Sequence, residues 1–411
     1  MILFLYFCIF IALYIQFFWL TIFFTERKHP LNKKAKSKFD PAALHAVTII
    51  VPCFNEESTV ARTLDSLLEM NYPPDKLKVL AVNDGSTDNT GKILNDYARK
   101  SDLITVLEKE NEGSKFAVLN YALDFVETEF VSCLDADSFA HKDAMLHIIT
   151  EFQDDSVMSV IPTMTIHNPR TLFQYAQRVE YEIAILARRI FHFLDAIHVV
   201  PGPLSTFRKS IFDKLGKYRE AYHTEDCEIA MRMQLNGMKI VHAHDAIVST
   251  EGPKTFMKLH KQRVRWTRGF IGNAWDYREM FFNRKYGEVG FSVIPSGFVR
   301  LALYTLVIPF TFWSFIISMY WTAHGLWWSG GATLGVNLVQ TIYGMQTFTI
   351  LVLISWITMM FFIIYGRKTI GKKKFLTMDI PVMVLIYNFV APLWALESWY
   401  RASTGGKMKW R

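Results

Sequence analysis

The chain has 411 residues, of which 51% are hydrophobic, 15% aromatic and 20% charged, and a formal net charge of +7. That length leaves room for one or two soluble domains plus membrane segments. The basic residues cluster beside apolar stretches, which points to a membrane surface as partner and away from nucleic acid. The four cysteines, Cys8, Cys53, Cys133 and Cys227, stand far apart with no CxxC pair, which excludes a disulfide framework or zinc site and fits a reducing compartment.

Residues 2–24 are almost wholly apolar, uncharged and long enough to span a bilayer as a helix. No basic region precedes them and no small-residue cleavage site follows, so they read as an anchor and not as a cleaved leader. Arg27, Lys28, Lys33, Lys34, Lys36 and Lys38 come next and place the following segment in the cytoplasm by the positive-inside rule. The expected order begins with a transmembrane helix at 1–25, a basic linker at 26–46 and a cytoplasmic catalytic domain at 47–252.

Within that domain short apolar runs alternate with amphipathic stretches. Residues 47–51, 77–82 and 130–134 predict buried strands, and residues 58–70 and 89–100 predict helices. Alternation of this kind implies an α/β fold with a doubly wound, mostly parallel sheet, which binds ligands beyond the carboxyl ends of its strands. Residues 253–299 mix Lys258, Lys261, Arg263, Arg265 and Arg268 with Phe256, Trp266, Phe270 and Trp275, the pattern of helices lying in a membrane interface. A region of two to three spans follows at 300–400, with apolar stretches at 301–322, 338–365 and 380–396. Arg367, Lys368 and Lys372 to Lys374 set the loop before the last stretch inside. Pro381 and Pro392 leave a re-entrant segment open for that stretch, although a span is favoured over it. A basic tail occupies 401–411.

The acidic residues fall at strand ends. Asp84 stands in VNDGSTD after the second strand, and Asp135 and Asp137 stand in CLDADS after the third. Alternation in an extended segment points Asp135 and Asp137 to one side, where two carboxylates can hold a hard cation with a phosphate. Taken singly, Asp84 is equally well a turn residue, Asp-x-Asp occurs by chance in many loops, and Asp226 reads best as a carboxylate favoured by a helix dipole. Neither GxGxxG nor GxxxxGK[ST] is present, so dinucleotide and P-loop sites lose support.

Together VPCFNEE, VNDGSTD, LDADS, HTED and QRVRW, in this order from residue 51 to 266, resemble the processive family 2 glycosyltransferases. Within that family the look is nearest to bacterial poly-β-1,6-N-acetylglucosamine synthases. The resemblance implies a GT-A fold flanked by transmembrane and interfacial helices. It places Pro52, Phe54, Glu56 and Asp84 around uracil and ribose, Lys115 near the nucleotide and donor, and Asp135 on the nucleotide or metal side. Asp137 would ligate Mg²⁺ or Mn²⁺. Asp226, with Glu225 beside it, would supply the general base. Gln262, Arg263 and Arg265 would secure the diphosphate, Trp266 would stack under the acceptor sugar, and residues 202–209 would lie near the acceptor.

The implied activity is an inverting transfer from a UDP-sugar, first UDP-N-acetylglucosamine and next UDP-glucose, to a growing β-linked glycan exported through the plasma membrane. The partners it implies are the donor, the glycan acceptor, the lipid bilayer and, as an option, a small membrane subunit. Two other readings stand beside it. One is a single-addition transferase acting on a lipid-linked acceptor. The other is a catalytically dead membrane scaffold, which predicts losses in the metal or base motifs, although Asp135, Asp137 and Asp226 are all present.

Overall fold

The computed structural model describes residues 2–27, 44–329 and 346–405. Helix α1 (Ile2–Glu26) precedes a sheet domain. In its first half β1 (Val47–Cys53), β2 (Leu77–Asp84), β3 (Ile104–Lys109) and β4 (Phe130–Cys133) alternate with α2 (Val60–Leu68), α3 (Thr90–Ala98) and α4 (Lys115–Leu123). The second half adds β5 (Ser138–Ala140), α5 (Ala144–Glu151), β6 (Val157–Ile166), α6 (Leu172–Phe193), β7 (Thr206–Arg208), α7 (Ser210–Leu215), α8 (Glu225–Leu235) and β8 (Lys239–Thr250).

The strand order is β3-β2-β1-β4-β7-β6-β8-β5. β1 pairs in parallel with β2 and β4, and β2 with β3, so the expected parallel, doubly wound half is present. The pattern did not foreshadow β7, which runs antiparallel between β4 and β6, or β5, which runs antiparallel on β8. Three-residue strands are too short to carry a periodic signal.

β1 is apolar along nearly its whole length because both its faces are covered. Ile49 and Val51 join Leu64 and Leu67 of α2 and Met145 and Ile148 of α5 on one face. Ile50, Leu80 and Val82 join Val118 and Leu119 of α4 and Ile229 and Met233 of α8 on the other. The chain leaves β1 toward β2 and β3, then returns to its opposite edge as β4. The crevice beyond the ends of β1 and β4 is therefore the topological switch point, where open α/β sheets bind ligands.

After the sheet come α9 (Phe256–Asp276), α10 (Ile294–Ala302), α11 (Ile308–Ser329), α12 (Gln346–Thr369) and α13 (Asp379–Thr404). Among the described residues four helical stretches are long and apolar enough to cross a membrane: Leu3–Glu26, Val289–Leu306, Ile350–Thr369 and Asp379–Thr404. The stretch expected from 301 begins earlier, because π-helical turns at Val289–Val293 and Leu303–Val307 run directly into α10 and α11. The last stretch is one continuous helix with Pro392 inside it. Residues 338–345, 28–43 and 406–411, parts of the expected second stretch, basic linker and tail, lie outside the described residues.

The sheet domain is joined to these helices mainly through α6 and α9. Leu186 and Ile190 of α6 pack with Phe23 and Phe362, while Val264 and Ile271 of α9 pack with Ala391 and Trp394 of α13. A buried ionic cluster lies in the same seam. Arg367 donates to Glu182 of α6 (2.7 Å) and to Asp379 (2.8 Å), Arg178 reaches Asp379 (2.5 Å) and Lys372 reaches Glu182 (2.7 Å). Gly366 makes this approach feasible, since a Cβ there would collide with the Glu182 carbonyl oxygen.

Candidate active site

The loop after β1 is laced to the loop after β2. Thr87 N–H donates to Asn55 Oδ1 (2.8 Å), Glu56 N–H to Thr90 Oγ1 (2.8 Å) and Glu57 N–H to Asp88 Oδ2 (3.1 Å). Gly85 has φ +65°, and a Cβ there would lie 3.1 Å from the Asn111 nitrogen, so both conformation and space favour glycine. Pro52, Phe54 and Glu56 thus share one rim with Asp84. Asp84 is buried at the end of β2, and among the described residues neither carboxylate oxygen has a hydrogen-bond partner. Burial pushes its carboxyl up to about 6, with Lys109 pulling down and Glu112 pushing up.

Lys115 opens α4 and aims across the switch point. Its ammonium bonds Asp135 Oδ1 and lies 3.8 Å from Glu225 Oε1. Burial alone would pull this lysine down, but the attraction of Asp135, Cys133 and Glu225 together holds it well above its ordinary value. Gly202 closes over the pair: a Cβ would stand 2.6 Å from Lys115 Nζ and 2.9 Å from Asp135 Oδ2. The segment beginning at residue 202 therefore rests directly on the Lys115–Asp135 pair.

Residues 135–138 do not form the extended segment expected of them. Ser138 N–H donates to the Asp135 carbonyl (2.9 Å), which makes a turn, so strand alternation does not govern these two side chains. Asp137 Oδ1 accepts from the hydroxyls of Ser138 (3.2 Å) and Thr250 (3.4 Å). A divalent cation suits this donor set. Among the described residues no three His, Cys, Asp or Glu side chains converge into a metal cage. A hard cation held by one or two carboxylates, with phosphate and water completing its shell, needs no such cage.

Glu225 and Asp226 lie in the first turn of α8, which starts at Glu225 and not at the expected 227. Asp226 Oδ1 accepts from Cys227 N–H (2.9 Å). Burial and then the Glu225 charge push its carboxyl up to about 6, against Lys115 and Arg265, which pull down. The preceding turn is unusual. Ala221, Tyr222 and His223 have φ of +43°, +57° and +60°, a run of left-handed residues without glycine. α9 holds it there. Arg265 donates to the His223 carbonyl (2.9 Å), Asn273 to Thr224 Oγ1 (2.9 Å), and Tyr222 to Asp276 (3.1 Å). Gly269 and Gly272 form the seat: a Cβ on the first would collide with Thr224, and one on the second would stand 2.5 Å from the Tyr222 ring.

The four residues singled out on α9 divide. Arg265 faces the Asp226 carboxylate electrostatically. Arg263 bonds Glu180 of α6 (2.5 Å), takes Gln262 Oε1 as a second acceptor (3.1 Å) and stacks 4.3 Å over the Trp266 ring. Tyr387 of α13 donates to the same Glu180 carboxylate (2.6 Å). Sequence reasoning missed Arg188, a half-buried cation on α6 that faces Asp226 and Glu180 and whose Nη1 has no hydrogen-bond partner among the described residues. It also missed Glu180, Gly269 and Gly272. Two glycines three apart inside a helix were the available signal, since each costs about 1 kcal/mol against alanine unless something must approach closely.

Residues 48–216 match the family described as Glycosyl transferase family 2. The chain is 29% identical over 270 residues to the poly-β-1,6-N-acetyl-D-glucosamine synthase of Staphylococcus aureus (strain COL), covering 64% of each chain. It is 28% identical over 268 residues to the synthase of the same name from Staphylococcus epidermidis, again covering 64% of each. The alignment thus spans less than two thirds of the length of these relatives. Among solved structures, a mannosyltransferase from Pyrobaculum calidifontis in complex with GDP-Man and Mn²⁺ matches with a TM-score of 0.55 at 20% identity, covering 89% of this chain and 100% of that one. That likeness carries the GT-A type fold.

Proposed function

We propose, from the match of residues 48–216 to glycosyl transferase family 2, that the chain is an inverting polysaccharide synthase that extends a β-linked glycan from a UDP-sugar. UDP-N-acetylglucosamine is the first donor to test, on the strength of the synthases named above. One observation carries the reading. The Lys115–Asp135 pair and the Glu225–Asp226 turn meet at the switch point, one strand over from buried Asp84 at the end of β2, an arrangement that would supply nucleotide acceptors, a phosphate-side cation and a base.

In this proposal Pro52, Phe54, Glu56 and Asp84 receive uracil and ribose, whose polar groups satisfy the orphaned Asp84 oxygens. The acceptor hydroxyl oxygen bonds to the anomeric carbon as the bond from that carbon to the diphosphate oxygen breaks. The hydroxyl proton passes to Asp226, and UDP leaves with the electron pair. A carboxyl raised to about 6 is still ionised at neutral pH yet basic enough to take that proton. Lys115 and Arg265 offset the charge growing on the diphosphate. A Mg²⁺ or Mn²⁺ ion held by Asp137, with Asp135 beside it, would supply Lewis-acid stabilisation of that leaving group. Gln262, Arg263 and Trp266 take the diphosphate and acceptor side. For Arg263 this means exchanging Glu180 for phosphate.

The domains at 47–252, 253–299 and 300–400 then act as catalytic unit, interface and membrane region of a multi-pass plasma-membrane protein, with a basic tail at 401–411. Contacts of Arg367 and Lys372 with Glu182 support placing the α12–α13 connection on the catalytic, cytoplasmic side. The glycan acceptor, the bilayer and a small membrane subunit are the partners of this reading, and export is coupled to synthesis.

A donor screen tests it. Purified enzyme in nanodiscs with Mg²⁺ or Mn²⁺ is given UDP-N-acetylglucosamine, UDP-glucose or UDP-glucuronate, while UDP release and product size are followed. Metal-dependent release with a long β-linked product is expected. Addition of a single sugar, or activity only on a lipid-phosphate acceptor, would replace the synthase with a single-addition transferase.

A further inference from the structure

A cavity of about 150 Å³ lies beside the crevice, lined by Arg62, His167, Arg170, Gln174, Glu251 and Lys254. Three permanent cations face one carboxylate there. Glu251 is shared between Arg62 (3.2 Å) and Lys254 (3.7 Å), and among the described residues the Arg170 side chain has no ion-pair partner. Two long helices also begin at this cavity. Gln174 is in the first turn of α6, and Lys254 immediately precedes Thr255, the N-cap of α9. The two starts are tied together by Gln174 Nε2 to the Gly252 carbonyl (3.0 Å) and Gln177 Nε2 to the Pro253 carbonyl (2.9 Å). Their dipoles add partial positive charge to the side-chain cations.

The location narrows the ligand. Arg178 bonds Asp379, the first residue of the last candidate span. Gln174 is one turn away on the same helix, about 6 Å at the α-helical rise of about 1.5 Å per residue. The headgroup layer on each side of a bilayer is about 5–8 Å deep. The cavity therefore lies within about one helical turn of the residue that opens the last candidate span, which is within reach of headgroups if that span crosses the bilayer as proposed. Leu172, 62% exposed, and Met257, 55% exposed, stand on the first turns of the same two helices, as apolar contacts for an acyl boundary do.

We propose that this cavity binds the phosphate of an anionic phospholipid headgroup, with Arg62, Arg170 and Lys254 as its cationic partners. The assignment rests on the membrane placement proposed above. Occupancy has a direct route to the crevice, because Glu251 N–H donates to the Asp137 carbonyl (3.0 Å). A headgroup that draws Arg62 and Lys254 toward itself acts on the residue pinned to the Asp137 turn.

The test uses the full chain, as wild type and as the R170Q/K254Q double variant, in nanodiscs of phosphatidylcholine with increasing phosphatidylglycerol. Retained lipid is counted by native mass spectrometry. The wild type should hold phosphatidylglycerol selectively, and the double variant should need at least about tenfold more for the same occupancy, since each basic residue near an anionic surface contributes several-fold. The charge-preserving R170K/K254R variant should behave as wild type. Equal retention by wild type and R170Q/K254Q would overturn the site. Displacement of bound lipid by millimolar inorganic phosphate would overturn the lipid as the source of the phosphate. Release of the chain from membranes by alkaline carbonate would overturn the membrane placement and this assignment together. A membrane-retained chain that does not discriminate phosphatidylglycerol overturns the assignment alone.

Discussion

Asp226 is flanked by a like charge in Glu225 and by two cations, Lys115 and Arg265, and its carboxyl stands at about 6. In its proposed role as base Asp226 must be unprotonated, and it keeps its proton until the pH rises through that value. The acid limb of kcat/KM should therefore fall near pH 6, well above the ordinary aspartate range. Glu225→Gln removes the like charge and should move that limb down, and a pH profile unchanged by the substitution would separate Glu225 from the titration. Asp226→Asn should still bind UDP by calorimetry while turnover drops by about 10²–10⁴-fold, the usual contribution of a positioned base. Asp137→Ala should abolish metal-dependent UDP release, and a variant still active and indifferent to chelator would remove Asp137 as ligand. Asp137 was legible in the sequence because it follows a mostly apolar run that reads as a buried strand, whereas Glu225 and Asp226, which open a helix, were legible only through the resemblance. The ion pair of Arg263 was not, since Glu180 lies 83 positions away and only the packing of α6 on α9 brings the two together. The turn at 135–138 also escaped, because a local hydrogen bond overrides strand alternation there.

The left-handed turn at residues 221–223 and helix α9 form one unit. Left-handed φ at consecutive non-glycine residues costs about 1–3 kcal/mol each and persists only where the surroundings impose it. Here the imposition comes from Gly269, Gly272, Arg265 and Asn273 on one helix face. Gly272→Ala separates propensity from position. Alanine raises helix propensity by about 1 kcal/mol, so any loss must arise from displacing the Tyr222 ring. The expected outcome is a lowered kcat with UDP affinity preserved, read from steady-state kinetics beside a UDP titration. At this scale β1, β2 and β4 were readable from stretches of five or six residues, 47–51, 77–82 and 130–134, each apolar but for one position, while β3 was not. The short antiparallel strands β5 and β7 were not, being fixed by their partners β8, β4 and β6.

Across the molecule, the seam between sheet domain and apolar helices contains charges that hydrocarbon could not hold singly. Glu182, Arg367 and Asp379 are all buried, and Arg367 bonds both carboxylates. Glu182→Gln leaves Arg367 short of an anion, and breaking such a buried pair costs about 3–5 kcal/mol. Thermal unfolding in detergent should show a clear fall in Tm, with a smaller fall for the exposed Lys78→Gln, whose partner Glu127 is solvated. The candidate spans were legible from apolar length, but not their seam with the sheet domain, which depends on contacts between positions 185 residues apart. That separation also sets a clock for biogenesis. Ribosomes add about 5–20 residues per second, so Glu182 emerges roughly 10–40 s before Arg367 does. During that interval the newborn sheet domain carries an anion with no counter-ion, and it can settle only once the last helix pair has arrived. If those helices cross the bilayer as proposed, completion of the sheet domain doubles as a report that their insertion has finished.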